Sequence, residues 1–156
     1  MSRALAAALT VALLVAGLGA ASAADAGKRK HRHHKPYSPL FKRLAGHSLN
    51  RVVPDSSGAA GGERYNFCRK GGYSYKKAGG SGATYFETSF HGRWRVASSA
   101  GSSGVVQYTV TSFASGYADG SPFESYPGSP LAQPVTFGPF GVYFGGQLFS
   151  RGKAKC

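Results

Sequence analysis

From Gly92 onward the side chains alternate. Trp94 and Val96 fall on one face of an extended chain, Arg93 and Arg95 on the other. Successive strand residues point to opposite faces, so this pattern buries Trp94 and leaves the arginines in water. Val106, Tyr108 and Val110 repeat the alternation, with Gln107, Thr109 and Thr111 opposite. β-branched and aromatic residues dominate both runs, and the Ser/Gly-rich stretch 98–104 between them is a turn signal. Residues 84–113 therefore read as a hairpin at the centre of a small antiparallel sheet. Trp94 belongs either to the core or to a platform on which a ligand stacks; the large apolar area of its indole favours the core.

Weaker copies of the pattern flank this centre. Leu49–Val53 is a candidate first strand, stopped by Pro54. Glu63–Cys68 is a second, with Tyr65 and Phe67 on one face, and Tyr73–Lys77 a third, with Tyr73 and Tyr75 on one face. The Gly71-Gly72 pair between them makes a hairpin. Pro134–Phe137 is another strand. Val142–Phe144 and Gln147–Phe149 flank Gly145-Gly146, a hairpin of the primed-turn kind. Residues 114–130 are broken by glycines and prolines and read as a long irregular loop, either a lid or a decorated hairpin end; 151–156 read as a basic tail. One short helix or 3₁₀ segment is expected, with Ser38 as N-cap, Pro39 in the first position and Gly46 as the stop. Leu40 or Phe41, together with Leu44, would press it onto the sheet. No long helical pattern appears, and 23 glycines suit strands joined by turns. The fold class is all-β, a small antiparallel up-and-down sheet or barrel with a short N-terminal helix.

The first residues change the compartment rather than the fold. Arg3, the apolar run Leu5–Leu18 and the small-residue site Ala21-Ser22-Ala23 form a Sec-type signal peptide over 1–23, cleaved after Ala23. An uncleaved membrane anchor is the competing reading; no other stretch is apolar enough to span a bilayer. Residues 24–36 follow as a disordered basic arm, since a run of charge has nothing to bury in return for ordering. Residues 37–156 form a single β domain. The expected location is secreted, extracellular or cell-envelope. Export makes a Cys68–Cys156 disulfide possible; two free thiols remain the alternative.

Several pieces taken in order resemble small secreted bacterial lipocalin-like proteins: Leu44-x-Gly46-x-x-Leu49, Tyr65-x-Phe67-Cys68, Gly92-x-Trp94-x-Val96 and the ending Val142–Arg151. The resemblance spans 44–151 and breaks in the Gly/Pro-rich segment 114–130. It implies a lipocalin-like barrel or up-and-down sheet and carries over no catalytic residue. The expected core comprises Tyr65, Phe67, Trp94, Val96, Tyr108 and Val110.

Charge decides the functional expectation. The chain carries 19 basic and 6 acidic side chains, a formal net charge of +13. The excess concentrates between residues 28 and 51, in Lys28, Arg29, Lys30, Arg32, Lys35, Lys42, Arg43 and Arg51, eight cations that could neutralise phosphates or other anions; the first seven, with Arg93 and Arg95, are the candidate polyanion-binding residues. Their partners would be anionic surface polymers or acidic lipid headgroups, bound in a salt-dependent way. A solvated tail that only maintains solubility is the plain alternative. Export argues against an intracellular nucleic-acid partner, although tyrosines interleaved with cations at 64–77 would otherwise suit single strands. Some of those aromatics could instead line a barrel mouth that takes an apolar ligand beneath a 114–130 lid. His31, His33 and His34 lack finger or metalloprotease spacing and sit among cations, so no metal and no cofactor is expected. Catalytic signatures are missing: no nucleophile elbow, no phosphate loop, no orienting partner for a Cys68–His91 pair. Glu87 with Glu124 is the one carboxylate pair a secreted hydrolase could use. A non-enzymatic binding protein is the expectation.

Overall fold

The computed structural model describes residues 37–54, 60–81 and 84–156. The expected signal peptide 1–23, the expected basic arm 24–36 and the histidines at 31, 33 and 34 lie outside the described residues. Eight antiparallel strands follow one another in chain order: β1 (His47–Pro54), β2 (Ala60–Phe67), β3 (Gly72–Ser81), β4 (Thr84–Ala100), β5 (Ser103–Tyr117), β6 (Leu131–Phe137), β7 (Val142–Phe144) and β8 (Gln147–Lys153). Each pairs with the next, and β8 returns to pair with β1, closing a barrel. Closure removes both edges of the sheet, so every strand has two neighbours over part of its length. A closed barrel has no central strand. The hairpin at 84–113 is instead its longest wall, β4 against β5, with Trp94 opposite Tyr108 and Val96 opposite Val106.

Two local corrections follow from pairing. The stretch 114–117, expected as loop, continues β5, because Ala114, Ser115, Gly116 and Tyr117 find partners in Ser89, Thr88, Glu87 and Phe86. Small residues give little strand signal by themselves, and a paired neighbour overrides that. The supposed basic tail likewise begins as strand, since Arg151 and Lys153 pair with Leu49 and His47. Near the middle of β4, the register shifts between His91 and Gly92. A side chain at Gly92 would drive its Cβ to 1.7 Å from the Thr109 carbonyl oxygen, so only glycine admits this close approach. The shift keeps Phe113 opposite Phe90, turning both inward with Trp94 and Tyr108. The Gly145-Gly146 turn has φ +57° and +80°, the primed geometry that matches strand twist.

The barrel interior is filled. Leu49, Phe67, Tyr73, Tyr75, Phe90, Trp94, Val106, Tyr108, Val110, Val135, Val142, Phe144 and Phe149 are buried, with Tyr65 and Val96 packed against them. Their rings meet in edge and stacked contacts; Tyr73 lies on Tyr108 at 4.6 Å and Tyr75 on Phe90 at 4.4 Å. One end is closed by α1 (Pro39–Leu44), whose Ser38 hydroxyl accepts the Phe41 N–H as N-cap. Leu40 and Leu44 are both fully buried, each contributing about 1.5–3 kcal/mol of burial. Phe41 stacks on Trp94 at 4.8 Å, and the Trp94 indole N–H donates to the Cys68 carbonyl at 3.0 Å.

At this helix end the C-terminal residues cross the outside of the barrel. Ala154 donates to the Gly46 carbonyl, and Lys155 to Asn66 Oδ1. This path carries Cys156 to Cys68, and the two are joined in a disulfide 88 residues apart in sequence. Closing a loop of that length contributes roughly 4–5 kcal/mol in the chain-entropy account.

Candidate functional site

The barrel axis separates two kinds of charge. At the end opposite α1, the mouth, cations meet acids. Arg51 and Glu63 share the inward parity of Leu49 and Tyr65, so both point into the barrel. Arg51 Nε donates to Glu63 Oε2 at 3.0 Å, and Glu63 Oε1 accepts from the Tyr65 hydroxyl at 2.8 Å and the Tyr75 hydroxyl at 3.2 Å. Glu63 is only 8% exposed, so a buried carboxylate is fully supplied with donors, as burial of charge requires. Inward Lys77 pairs with Glu124 at 2.8 Å, and outward Lys76 pairs with Glu87 at 2.8 Å. Burial, followed by the nearby Glu63 charge, pushes the Tyr65 and Tyr75 hydroxyls far above the usual tyrosine range. Lys76 holds Glu87 below the usual carboxylate range.

Residues 118–130 lie across this mouth and along the part of β5 that β6 does not reach. Phe123 stacks on Phe86 at 4.1 Å and meets Tyr117 edge-on at 5.2 Å, with the Lys77 ammonium 5.2 Å from the Phe123 ring. The loop also supplies hydrogen bonds to the bare β5 edge. Val110 donates its N–H to Ser129 Oγ and accepts the Tyr126 hydroxyl at its carbonyl, while Ser115 Oγ accepts the Glu124 N–H. Glu87 faces outward with Lys76, whereas Glu124 is tied to inward-facing Lys77, so the barrel wall separates the only carboxylate pair considered for hydrolysis. Cys68 is in the disulfide and His91 is exposed, which leaves that pair no free thiol.

At the helix end the cations meet no acidic side chain among the described residues. All the acidic side chains among the described residues, Glu63, Glu87, Asp119 and Glu124, belong to the mouth half of their strands or to the loop beside it. The β2–β3 turn brings Arg69 and Lys70 to the helix end, β8 brings Arg151 and Lys153, and α1 brings Lys42 and Arg43. A groove here is lined by Gly46, His47, Arg69, Arg151, Gly152 and Lys153, and a neighbouring one beside the disulfide by Arg69, Lys70 and Lys153. Gly46 has φ +84°, and Arg69 Nε lies 2.9 Å from where its Cβ would be, so the absence of a side chain lets the guanidinium lie over the backbone. Arg151 donates to the Arg43 carbonyl at 2.9 Å. His47 Nδ1 lies 3.2 Å from the Gly152 carbonyl. Burial first, then the Arg151 charge, lowers the His47 pKa below its usual value.

The sequence-selected polyanion residues divide. Lys42 and Arg43 sit on α1 at this end. Arg93 and Arg95 point outward from β4, where Arg93 is opposite Gly72 and Arg95 donates to Gln107 Oε1 at 2.8 Å. They flank a shallow groove with Gln107 and Thr109. Lys28, Arg29, Lys30, Arg32 and Lys35 lie outside the described residues. Arg69 and Lys70 read in sequence only as cations interleaved with tyrosines, and Arg151 and Lys153 only as a basic tail, because a turn and a tail far apart in sequence give no sign that they converge. Among the described residues, no three His, Cys, Asp or Glu side chains gather in a way that could hold a metal, and no helix is long and apolar enough to cross a membrane. No protein family, no curated protein and no solved structure matches the chain.

Proposed function

We propose that this is a secreted, non-enzymatic binding protein retained on anionic surfaces through the helix end of its barrel, with the polybasic arm 24–36 reinforcing the attachment. The observation that carries the reading is the segregation of charge. Arg51, Lys76 and Lys77 at the mouth pair with Glu63, Glu87 and Glu124, whereas Arg69, Lys70, Arg151 and Lys153 line grooves with no acidic side chain among the described residues. Uncompensated cations around a concave surface focus a positive field and draw in polyanions, releasing the counterions those carry. The chain enters this same end at Tyr37, directly after the basic segment. The eight-stranded up-and-down closure also fits a lipocalin-like relationship.

The test compares residues 24–156 with residues 37–156 for binding to an acidic polysaccharide and to anionic vesicles across a salt series. The shorter form keeps Leu40 and Leu44 in the core. Binding at low salt that falls steeply with salt, and less steeply without the arm, supports the reading. Absence of binding at low salt refutes it.

A second reading, an apolar ligand held beneath the 118–130 lid, is favoured by the seat of Phe123 at the mouth. Against it stands an interior packed with buried aromatic and aliphatic side chains. Salt-independent binding of an apolar dye that increases in Phe123→Ala would support it.

A further inference from the structure

The turn 138–141 joins β6 to β7 at the helix end. On it Phe140 is 84% exposed, more than any other large hydrophobic residue described. It is not an isolated ring. Tyr143 and Leu148 are cross-strand partners on β7 and β8, both pointing outward and both exposed. Each also lies against the same turn. A methyl group added at Gly138 would meet Tyr143 Cε2 at 3.3 Å, and one at Gly141 would meet Leu148 Cδ1 at 3.1 Å. The three side chains therefore form a raised apolar patch around the turn.

The rim of that patch is cationic. Phe137, immediately before the turn, has two guanidinium groups against its ring, Arg43 at 5.3 Å and Arg151 at 5.9 Å. A hydrated acidic polymer would satisfy those charges and leave Phe140 in water. An anionic bilayer satisfies both: its headgroups meet the guanidinium groups, and the headgroup–acyl boundary accepts an aromatic ring.

We propose that the anionic surface is an acidic lipid bilayer, and that Phe140 inserts into it with Tyr143 and Leu148 at the headgroup level and Arg43 and Arg151 on the phosphates. This inference rests on the polyanion reading of the helix end and names its partner. Phe140 packs on nothing that its removal would collapse, so Phe140→Ala leaves the barrel intact.

The experiment uses residues 24–156, with three probes: vesicles of phosphatidylglycerol and phosphatidylcholine, vesicles of phosphatidylcholine alone, and a soluble polyuronate. The protein is expected to bind the acidic vesicles, and Phe140→Ala to weaken that binding about tenfold, the scale of losing one buried phenyl group, with polyuronate binding unchanged. Phe140→Trp should show fluorescence quenched by brominated acidic lipid beyond any quenching of the protein with Trp94 alone. If both proteins bind acidic vesicles equally, or the new tryptophan is not quenched, insertion is refuted and the polyanion reading survives. If the unaltered protein binds neither acidic vesicles nor polyuronate at low salt, the polyanion reading itself fails, and this inference with it.

Discussion

Inside the barrel, the Arg51 guanidinium donates to the Glu63 carboxylate from the neighbouring strand, and Glu63 accepts two tyrosine hydroxyls with its other oxygen. This pair is the polar counterpart of the aromatic core. It holds β1 to β2 near the mouth and uses up charge that would otherwise be available to a ligand.

Replacing only Glu63 should therefore be costly. Glu63→Gln leaves Arg51 facing the interior without its counter-charge. Breaking a buried pair by removing one partner typically costs 3–5 kcal/mol, and the partial exposure of Arg51 reduces this to about 2–3 kcal/mol. Denaturant unfolding should show that loss, whereas Arg51→Met combined with Glu63→Gln, which removes the unpaired cation and leaves the Tyr65 and Tyr75 hydroxyls an amide oxygen to donate to, should recover most of it. Equal stability of Glu63→Gln and the unaltered protein would mean that the pair contributes nothing.

Alkaline pH should unfold the barrel cooperatively. Burial, first of all, raises the pKa of Tyr65, Tyr73, Tyr75 and Tyr108. A group that folding keeps neutral stabilises fully below its unfolded pKa, near 10 for tyrosine, and loses that contribution as pH rises above it. Each such tyrosine subtracts about 1.4 kcal/mol per pH unit above that point. Thermal midpoints should be flat on this account below pH 9 and fall steeply above pH 10, with phenolate absorbance appearing in step with unfolding. Gradual ionisation of all the tyrosines in a folded barrel would contradict it.

His47 makes anion binding depend on pH in the opposite direction. Its pKa is lowered by burial and by Arg151, so folding favours its neutral form; this contribution is present above the ordinary pKa near 6.5 and is lost as pH falls through the lowered value. An anion in the adjoining groove neutralises the cationic surroundings and raises that pKa. By linkage, affinity for a polyanion must increase as pH falls from 7.5 to 5.5, by about two- to tenfold. His47→Gln should flatten the profile, which binding assays at fixed salt would read directly.

Much of the fold was legible because inward positions carry a period-two signal. Tyr65 with Phe67, Tyr73 with Tyr75, and Trp94 with Val96 assigned faces correctly, and the Ser38-Pro39 start and the Gly145-Gly146 turn carried their own chemistry. The same parity places Glu63 with Tyr65 and Arg51 with Leu49, so the buried pair could have been read, had charge not been assumed to face water. Closure of β8 on β1 was open between sheet and barrel, because nothing local encodes a pairing across the whole domain. The cationic grooves depended on that closure. Arg69 and Lys70 sit in a turn, and Arg151 and Lys153 looked like a tail; only pairing of β8 beside β1 and passage of the C-terminus across the wall bring them together.

The most direct test of the helix end as the binding surface is the salt dependence of affinity for one polyanion in Arg69→Gln/Arg151→Gln/Lys153→Gln, beside a control that neutralises Lys76 at the mouth. The account predicts that the triple variant lowers the slope of log affinity against log salt by about two to three, near 0.9 for each lost charge contact, while the mouth control keeps its slope. An unchanged slope in a folded triple variant would contradict it.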